Sequence, residues 1–189
     1  MSQVPESEVR RLVREAVERA LAPRPEPRGT PPGPSREASR RVAIGADHGG
    51  YPLKEILKRF ISEEMGWDVQ DCGTHSSDAV DYPDYAAAVA REVAGGRAAW
   101  GVVIDAAGIG STMAANKIPG ARCALCHDDT TVLNAREHND ANVLALGAKV
   151  VNRGLATRMV RLFLTTGFGG GRHARRVQKI MALERGPCA

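Results

Sequence analysis

The chain has 189 residues, of which 43% are hydrophobic and 4% aromatic, and its formal net charge is +4. This length fits one compact α/β domain with some additional chain. Because the sequence has no apolar run of about 18 residues, no apolar signal-peptide core, no clustered basic stripe and few cysteines, we expect a cytoplasmic protein with no membrane span, nucleic-acid partner or disulfide scaffold.

Proline divides the chain into two parts, since seven of the 11 prolines fall within the first 40 residues. We predict a helical tail over residues 1–21, a Pro-rich linker over 22–40 and a globular domain over 41–189. The linker cannot bury enough apolar surface to fold and is expected to be extended.

Residues 7–21 have a helical period, with Val, Leu and Ala on one face and Arg and Glu on the other. Ser7 suits the N-cap and Pro23 ends the pattern. Two interpretations stay open. In the first, the segment docks on its own domain or on a sister subunit, or it is a frayed tail; in the second, it is a docking tag. As a tag it resembles the encapsulation peptides of bacterial microcompartment enzymes, which implies a shell-protein partner and a location inside such a compartment.

From residue 41 onward, short apolar runs alternate with amphipathic segments. Strands are predicted over 42–46, 67–72, 100–104, 121–127 and 142–146. Helices are predicted over 53–61, 82–93, around 114–116, and over 130–138, 154–165 and 172–183. This alternation predicts an α/β fold in which a five-stranded parallel sheet is covered by helices on both faces.

Polar residues follow several of the predicted strands, where ligands bind in such sheets. Asp47 and His48 follow the first strand, and Asp105 follows the third. After Asp105, the small residues of 106–112 form either an ordinary tight turn or an anion site for a phosphate or an oxyanion. The dinucleotide-binding fingerprint and the Walker A motif are both absent from this turn.

Two further features precede the C-terminus. Arg172 and Arg176 are one helical turn apart, which suits either a phosphate fork or a solvated basic face. His138 lies at a predicted helix end among polar residues, as a proton-transfer group or a cap. The CxxC spacing of Cys123 and Cys126 falls in a predicted strand, which points their side chains to opposite faces and favours core packing.

Several motifs then occur in chain order over the domain. They are Gly45-Ala46-Asp47-His48-Gly49-Gly50, Asp81-Tyr82-Pro83, Gly108-Ile109-Gly110, His138-Asn139-Asp140-Ala141-Asn142 and Gly171-Arg172-His173. Together they resemble the ribose-5-phosphate isomerase B / galactose-6-phosphate isomerase family over about residues 41–184. The resemblance implies a Rossmann-like three-layer sandwich and a homodimer, often paired into a tetramer, with active sites shared between subunits.

The family also implies the chemistry, which is aldose–ketose isomerisation of a sugar phosphate through a cis-enediolate, without metal or cofactor. By motif, Asp47 and the partner's His138 would assist ring opening, and Asn139 would contact sugar hydroxyls. The remaining implied groups bind the phosphate or stabilise the enediolate through backbone N–H groups. The phosphate ligands are His48, Arg172 and Arg176, the enediolate loop is Gly108, Gly110, Ser111 and Thr112, and Lys149 stands where the family often has an arginine.

The base position departs from the family pattern. The family usually has a cysteine where this chain has Asp105, and members without the cysteine place a glutamate at the position of Ser111. Asp105 has three interpretations: a carboxylate base, a change of substrate within the same chemistry, or a subunit with little activity of its own. We predict an isomerase acting on a ribose 5-phosphate-like sugar with Asp105 in the base position. The alternative is a non-catalytic or partner-dependent sugar-phosphate-binding subunit.

Overall fold

The structure, a computed structural model, describes residues 40–185. The predicted tail helix over 7–21, and the linker apart from its last residue, lie outside the described residues. Within the described range, no helix is long and apolar enough to cross a membrane.

Five strands alternate with six helices. The strands are β1 (Arg41–Ala46), β2 (Asp68–Asp71), β3 (Trp100–Asp105), β4 (Cys123–Leu125) and β5 (Val143–Gly147). The helices are α1 (Tyr51–Arg59, followed by a π-helical turn, Phe60–Glu64), α2 (Tyr82–Ala94), α3 (Ile109–Ala115), α4 (Asp129–Glu137), α5 (Arg153–Thr165) and α6 (Arg172–Ala182, followed by a short 3₁₀ turn, Leu183–Arg185).

The strands form one parallel sheet in the order β2-β1-β3-β5-β4. Successive side chains of the central strands point to opposite faces, so Ile44 and Leu146 join one core while Ala43 and Ala145 join the other. Helices α1, α4 and α5 cover the first face, and α2 and α3 cover the second. The predicted five-stranded parallel α/β sandwich is confirmed.

The fourth strand is shorter than predicted. It spans three residues rather than 121–127, and just before it Arg122 N donates to the side-chain Oδ1 of Asn142 rather than to a backbone carbonyl. Cys126 packs in the core on one face of the sheet, and Cys123 packs against the core on the other. The prediction that the CxxC pair serves core packing on opposite faces is therefore confirmed.

A buried lysine fastens the end of β2 to helix α1. The side chain of Lys54 is fully buried and donates from Nζ to Asp71 Oδ1 at 2.6 Å and to the carbonyl of Thr74 at 2.7 Å. Lys58 Nζ donates to the other carboxylate oxygen of Asp71 at 2.7 Å. The loop after β2 in turn pairs with β1, because Thr74 N donates to the carbonyl of Ala46, the residue before Asp47.

These contacts predict an acid-dependent contribution to stability. Burial raises the pKa of Asp71, but hydrogen bonds from Lys54, Lys58 and the Gly73 amide outweigh it and lower the pKa to about 2. A depressed folded-state pKa stabilises the native state above the unfolded value of 3.8, and the contribution disappears as the pH falls to about 2.

Asp71→Asn is therefore expected to flatten the decline in unfolding free energy between pH 4 and pH 2 by about 1–2 kcal/mol, after allowance for solvent screening. Urea unfolding of both proteins at several pH values measures this difference. Asp84→Asn removes an exposed carboxylate of α2 and is the matched control, for which the wild-type slope is expected. An unchanged slope in Asp71→Asn would remove this ion cluster from the acid response.

Candidate active site

The carboxyl ends of β1, β3 and β5 meet at one edge of the sheet. Asp47 N donates to the carbonyl of Ile104 at 3.2 Å, which places the end of β1 beside the end of β3. Lys149 N donates to the carbonyl of Ala106 at 3.0 Å, which places the turn after β5 against the loop that follows β3. The structure thus brings Asp47 and Asp105 to the same ends of the strands, as their positions after parallel strands predicted, and places Lys149 beside them.

Asp105 is buried and organises the loop that follows it. Its Oδ1 accepts hydrogen bonds from the backbone N–H groups of Ala107, at 2.8 Å, and of Gly108. Its Oδ2 accepts from the backbone N–H of Ser111 at 3.0 Å. The carboxylate therefore occupies donors at the start of α3, in the loop for which the sequence left open an ordinary tight turn or an anion site.

The proton affinity of Asp105 follows from these bonds. Burial raises the pKa of Asp105, but the hydrogen bonds of Ser111, Gly108 and Ala107 outweigh it and lower the pKa below its ordinary value. The side chain is consequently ionised at neutral pH, as a base must be. Its charge is stabilised by the loop, so these three hydrogen bonds oppose the uptake of a proton by the side chain.

Two glycines allow this loop its close packing. Gly108 adopts a left-handed conformation with φ of 80°, and a Cβ there would overlap the side chain of Leu125. A Cβ on Gly110 would lie 2.5 Å from the ring of Tyr82, so that ring lies directly over the start of α3. Thr112 Oγ1 donates to the carbonyl of Gly108 at 2.7 Å and fixes the turn from the helix side.

Asp47 and His48 form the second part of this edge. Asp47 is buried, and its Oδ1 accepts from the Gly50 amide at 2.8 Å, which orients the carboxylate at the start of α1. His48 is exposed, and its Nδ1 lies 3.2 Å from both the amide nitrogen and the carbonyl oxygen of Val80. His48 therefore remains available to a ligand through its other ring nitrogen, beside the loop that leads to Tyr82.

A second group of predicted site residues lies at the C-terminal end of α4 and the start of α6. His138 caps α4, and its ring stacks parallel to that of His173, with centroids 4.2 Å apart and planes 4° apart. Arg172 and Arg176 are exposed on the same first turns of α6. Desolvation, His138 and these two arginines all lower the pKa of His173.

A buried arginine supports the turn that carries His138. Arg136 is 3% exposed, its guanidinium lies 4.3 Å from the ring centroid of Trp100, and its Nη1 donates to Asp140 Oδ1 at 3.0 Å. Arg122 donates to the other oxygen of Asp140, also at 3.0 Å. Asp140 itself has a positive φ of 46°, so these two arginines stabilise a tight turn directly after His138.

The two groups of residues lie at opposite ends of the strands. Helix α4 returns antiparallel to the strands, so His138 lies near the start of β5, whereas Asp105 lies at the end of β3. A five-residue strand is about 17 Å long, so about the length of a strand separates the two groups. One chain therefore keeps Asp47, His48, Asp105, the glycine loop and Lys149 apart from His138, Asn139 and the two arginines.

Three residues at these positions had no predicted role. Tyr82 and His173 belong to the motifs listed above, so their closeness in the sequence to predicted site residues was the signal that could have identified them. Asn134 lies one helical turn before His138, and its Nδ2 is 2.9 Å from His138 Nδ1. A polar residue at the i−4 position of a candidate catalytic histidine is the signal that would have found it.

A groove of about 960 Å³ runs along the sheet edge at β4. It lies between α4 and the C-terminal end of α6, and its lining is mainly apolar around Leu125 and Ile180 but includes Asn134 and Asn139. The groove therefore reaches the His138 group and not the Asp105 group. Among residues 40–185, no three His, Cys, Asp or Glu side chains are grouped closely enough to hold a metal ion.

Comparison with known proteins gives a consistent family. The sequence profile of the Ribose/Galactose Isomerase family matches residues 42–180. Ribose-5-phosphate isomerase B of Escherichia coli is 43% identical over 147 residues, which cover 77% of this chain and 97% of that protein.

Solved structures agree with the sequence comparison. Ribose-5-phosphate isomerase B of Clostridium thermocellum is 46% identical with a TM-score of 0.75, and the match covers 77% of this chain and 97% of that chain. The type B ribose 5-phosphate isomerase of Trypanosoma brucei is also 46% identical, with a TM-score of 0.74 and coverage of 77% and 99%. The predicted Rossmann-like architecture is therefore confirmed.

Proposed function

The chain belongs to the Ribose/Galactose Isomerase family and is a sugar-phosphate isomerase, and from this premise we propose that it interconverts the aldose and ketose forms of a ribose 5-phosphate-like sugar. The observation that carries the proposal is the arrangement at one sheet edge, where Asp47, His48, Asp105 and a glycine loop converge. These groups supply two carboxylates, a phosphate ligand and backbone N–H donors, as proton transfer next to a carbonyl requires.

The reaction proceeds in two parts. Asp47 and His138 first open the sugar ring by moving a proton between the ring oxygen and the anomeric hydroxyl. Asp105 then takes the proton from carbon 2, and the C–H electron pair forms the carbon 1–carbon 2 double bond while the carbonyl oxygen becomes an oxyanion. The proton on the oxygen of carbon 2 then moves to the oxyanion at carbon 1, and return of the abstracted proton from Asp105 to carbon 1 gives the ketose.

The loop around Asp105 supports a mechanism in which a substrate oxygen replaces the Asp105 carboxylate at one of the loop N–H groups. The N–H groups of Ala107, Gly108 and Ser111 hold the carboxylate in the free chain, and they are the donors an enediolate oxygen needs. When a substrate oxygen takes the Ser111 N–H, Oδ2 of Asp105 is released toward the sugar. The carboxylate then loses a stabilising bond, which raises its proton affinity as the reaction begins.

The opposite positions of the two residue groups support a site shared between two copies. One copy supplies Asp47, His48 and Asp105, and the other supplies His138 and the two arginines. Arg172 and Arg176 then bind the phosphate together with His48, because planar guanidinium groups bind phosphate oxygens in pairs. The apolar groove along the edge strand β4 offers a surface on which copies can pack, in a dimer or a pair of dimers.

One observation favours the second candidate, a sugar-phosphate-binding subunit without activity of its own. Asp105 is engaged by three backbone N–H groups, which stabilise its ionised form and weaken it as a base. Incubation of the purified protein alone with four-, five- and six-carbon aldose phosphates, followed by NMR, separates the two candidates. We expect the five-carbon ketose phosphate to form. Binding of these sugars without any ketose signal would favour the binding subunit.

We further propose that residues 7–21 act as a docking tag for a microcompartment shell. The support is the amphipathic sequence pattern on a Pro-rich tether. Deletion of residues 1–40 is expected to leave turnover unchanged and to abolish co-purification with shell proteins. Full co-purification of the truncated chain would exclude the tag, and loss of turnover would favour docking on the catalytic domain or on a sister subunit.

A further inference from the structure

The ring of His138 is held by a chain of amide contacts that begins at an unambiguous acceptor. The backbone carbonyl of Asn134 accepts from the His138 N–H at 3.0 Å and from a side-chain atom of Asn139 at 3.1 Å. Because a carbonyl only accepts, the Asn139 atom that faces it is Nδ2, a donor. This first contact fixes the orientation of the Asn139 amide.

The orientation of the Asn139 amide determines that of the Asn134 side-chain amide. The same Nδ2 of Asn139 lies 3.0 Å from a side-chain atom of Asn134, which must therefore be the accepting Oδ1. The other end of that amide, Nδ2, then faces Nδ1 of His138 at 2.9 Å. An amide nitrogen only donates, so Nδ1 of His138 is the acceptor and carries no proton.

We infer that Asn134 is a positioning residue that holds neutral His138 in the tautomer with its proton on Nε2. The inference rests on the proposed function, in which His138 moves a proton during ring opening. In this tautomer His138 offers an N–H donor from Nε2 to a sugar oxygen, and Nδ1 is not available to the sugar. The role goes beyond the predicted one for Asn139, whose amide here also orients Asn134.

The neighbours of His138 on α6 also restrict the orientation of its ring. His173 of α6 stacks on it face to face, and Arg172 Nε lies 3.5 Å from His173 Nε2. Arg172 and Arg176 add positive charge beside the pair, which contributes to the lowered pKa of His173. Stacking thus fixes the plane of the ring, and Asn134 fixes which nitrogen carries the hydrogen.

Asn134→Asp is the test, because it changes the one contact at issue. A carboxylate still accepts from Asn139 Nδ2 but presents an acceptor, not a donor, to His138 Nδ1. His138 must then carry its proton on Nδ1. We expect kcat for the aldose to fall about tenfold or more, with little change in KM, since the phosphate ligands are untouched. Asn134→Ala removes the contact without reversing it and is expected to cause a smaller loss.

The tautomer is read directly from the ¹⁵N chemical shifts of the imidazole ring, and the signals of His138 are assigned by their absence in His138→Gln. We expect an unprotonated Nδ1 in the wild type and a protonated Nδ1 in Asn134→Asp. Asn152→Asp adds the same charge at the N-cap of α5, where Asp caps as well as Asn, and is expected to match the wild type in both readouts.

Two results would overturn the inference. The first is a protonated Nδ1 on neutral His138 in the wild-type protein. The second is a reversed tautomer in Asn134→Asp with unchanged kcat. The NMR measurement requires no turnover, so it decides the tautomer even in a protein without isomerase activity. Failure of the proposed function would appear separately, as full turnover in His138→Gln or none in the wild type.

Discussion

Asp105→Asn is expected to lower kcat for aldose–ketose isomerisation by about 10²–10⁴-fold, the usual contribution of a positioned general base. Asparagine retains the shape of the side chain and one accepting oxygen, but it cannot take a proton from carbon 2. The affinity for the sugar phosphate should change little, because His48 and the two arginines are unaltered. Turnover assays and calorimetric titration with ribose 5-phosphate measure the two quantities.

The control must separate lost chemistry from a disturbed loop. The asparagine Nδ2 would meet either the Ser111 N–H or the N–H pair of Ala107 and Gly108, so some loss of stability is expected. Urea unfolding measures it, and Asp84→Asn is the matched exposed exchange. A folded Asp105→Asn protein that binds substrate and turns it over near the wild-type rate would exclude Asp105 as the base.

Mixed subunits are expected to recover activity that neither variant has alone. If each site combines Asp105 of one copy with His138 of another, Asp105→Asn and His138→Gln each disable every site in their own homodimer. After unfolding and refolding together, about half of the dimers are mixed, and each mixed dimer has one intact site. The expected recovery is about a quarter of wild-type activity, as follows from random pairing in a two-fold symmetric dimer.

The measurement is turnover of the refolded mixture against refolded wild type and against each variant refolded alone. Separation of differently tagged chains confirms that mixed dimers have formed. Mixed dimers with no more activity than the separate variants would contradict the shared site. That result would mean that the site does not combine Asp105 of one copy with His138 of another.

The sequence predicted the fold because its signals are local. The apolar runs that became β1, β3 and β5 are buried on both faces, and such runs read as parallel strands. The third helix is the main error of extent, since it was predicted near 114–116 but begins at Ile109. Its early start depends on Gly108 in a left-handed conformation and on the carboxylate of Asp105, and neither contact is visible in a hydrophobic pattern.

The positions of the candidate site residues in the fold were predictable from the sequence, but their contacts were not. The motifs placed Asp47, Asp105 and His138 at strand or helix ends, where the structure has them. The three N–H bonds to Asp105 depend on how the chain turns back over five residues, which no spacing rule gives. The amide chain from Asn139 through Asn134 to His138 depends on two side-chain orientations, which the sequence does not predict either.

Ribose 5-phosphate incubated in D₂O with the purified protein alone tests the central claim most directly. We expect the aldose signals in the proton NMR spectrum to decrease as ketose signals grow, with deuterium entering only at carbons 1 and 2, where the enediolate forms. A substrate that binds, as broadening of its ³¹P signal would show, yet keeps its aldose signals and all its carbon-bound protons would contradict the claim that this chain is an isomerase with its base at Asp105.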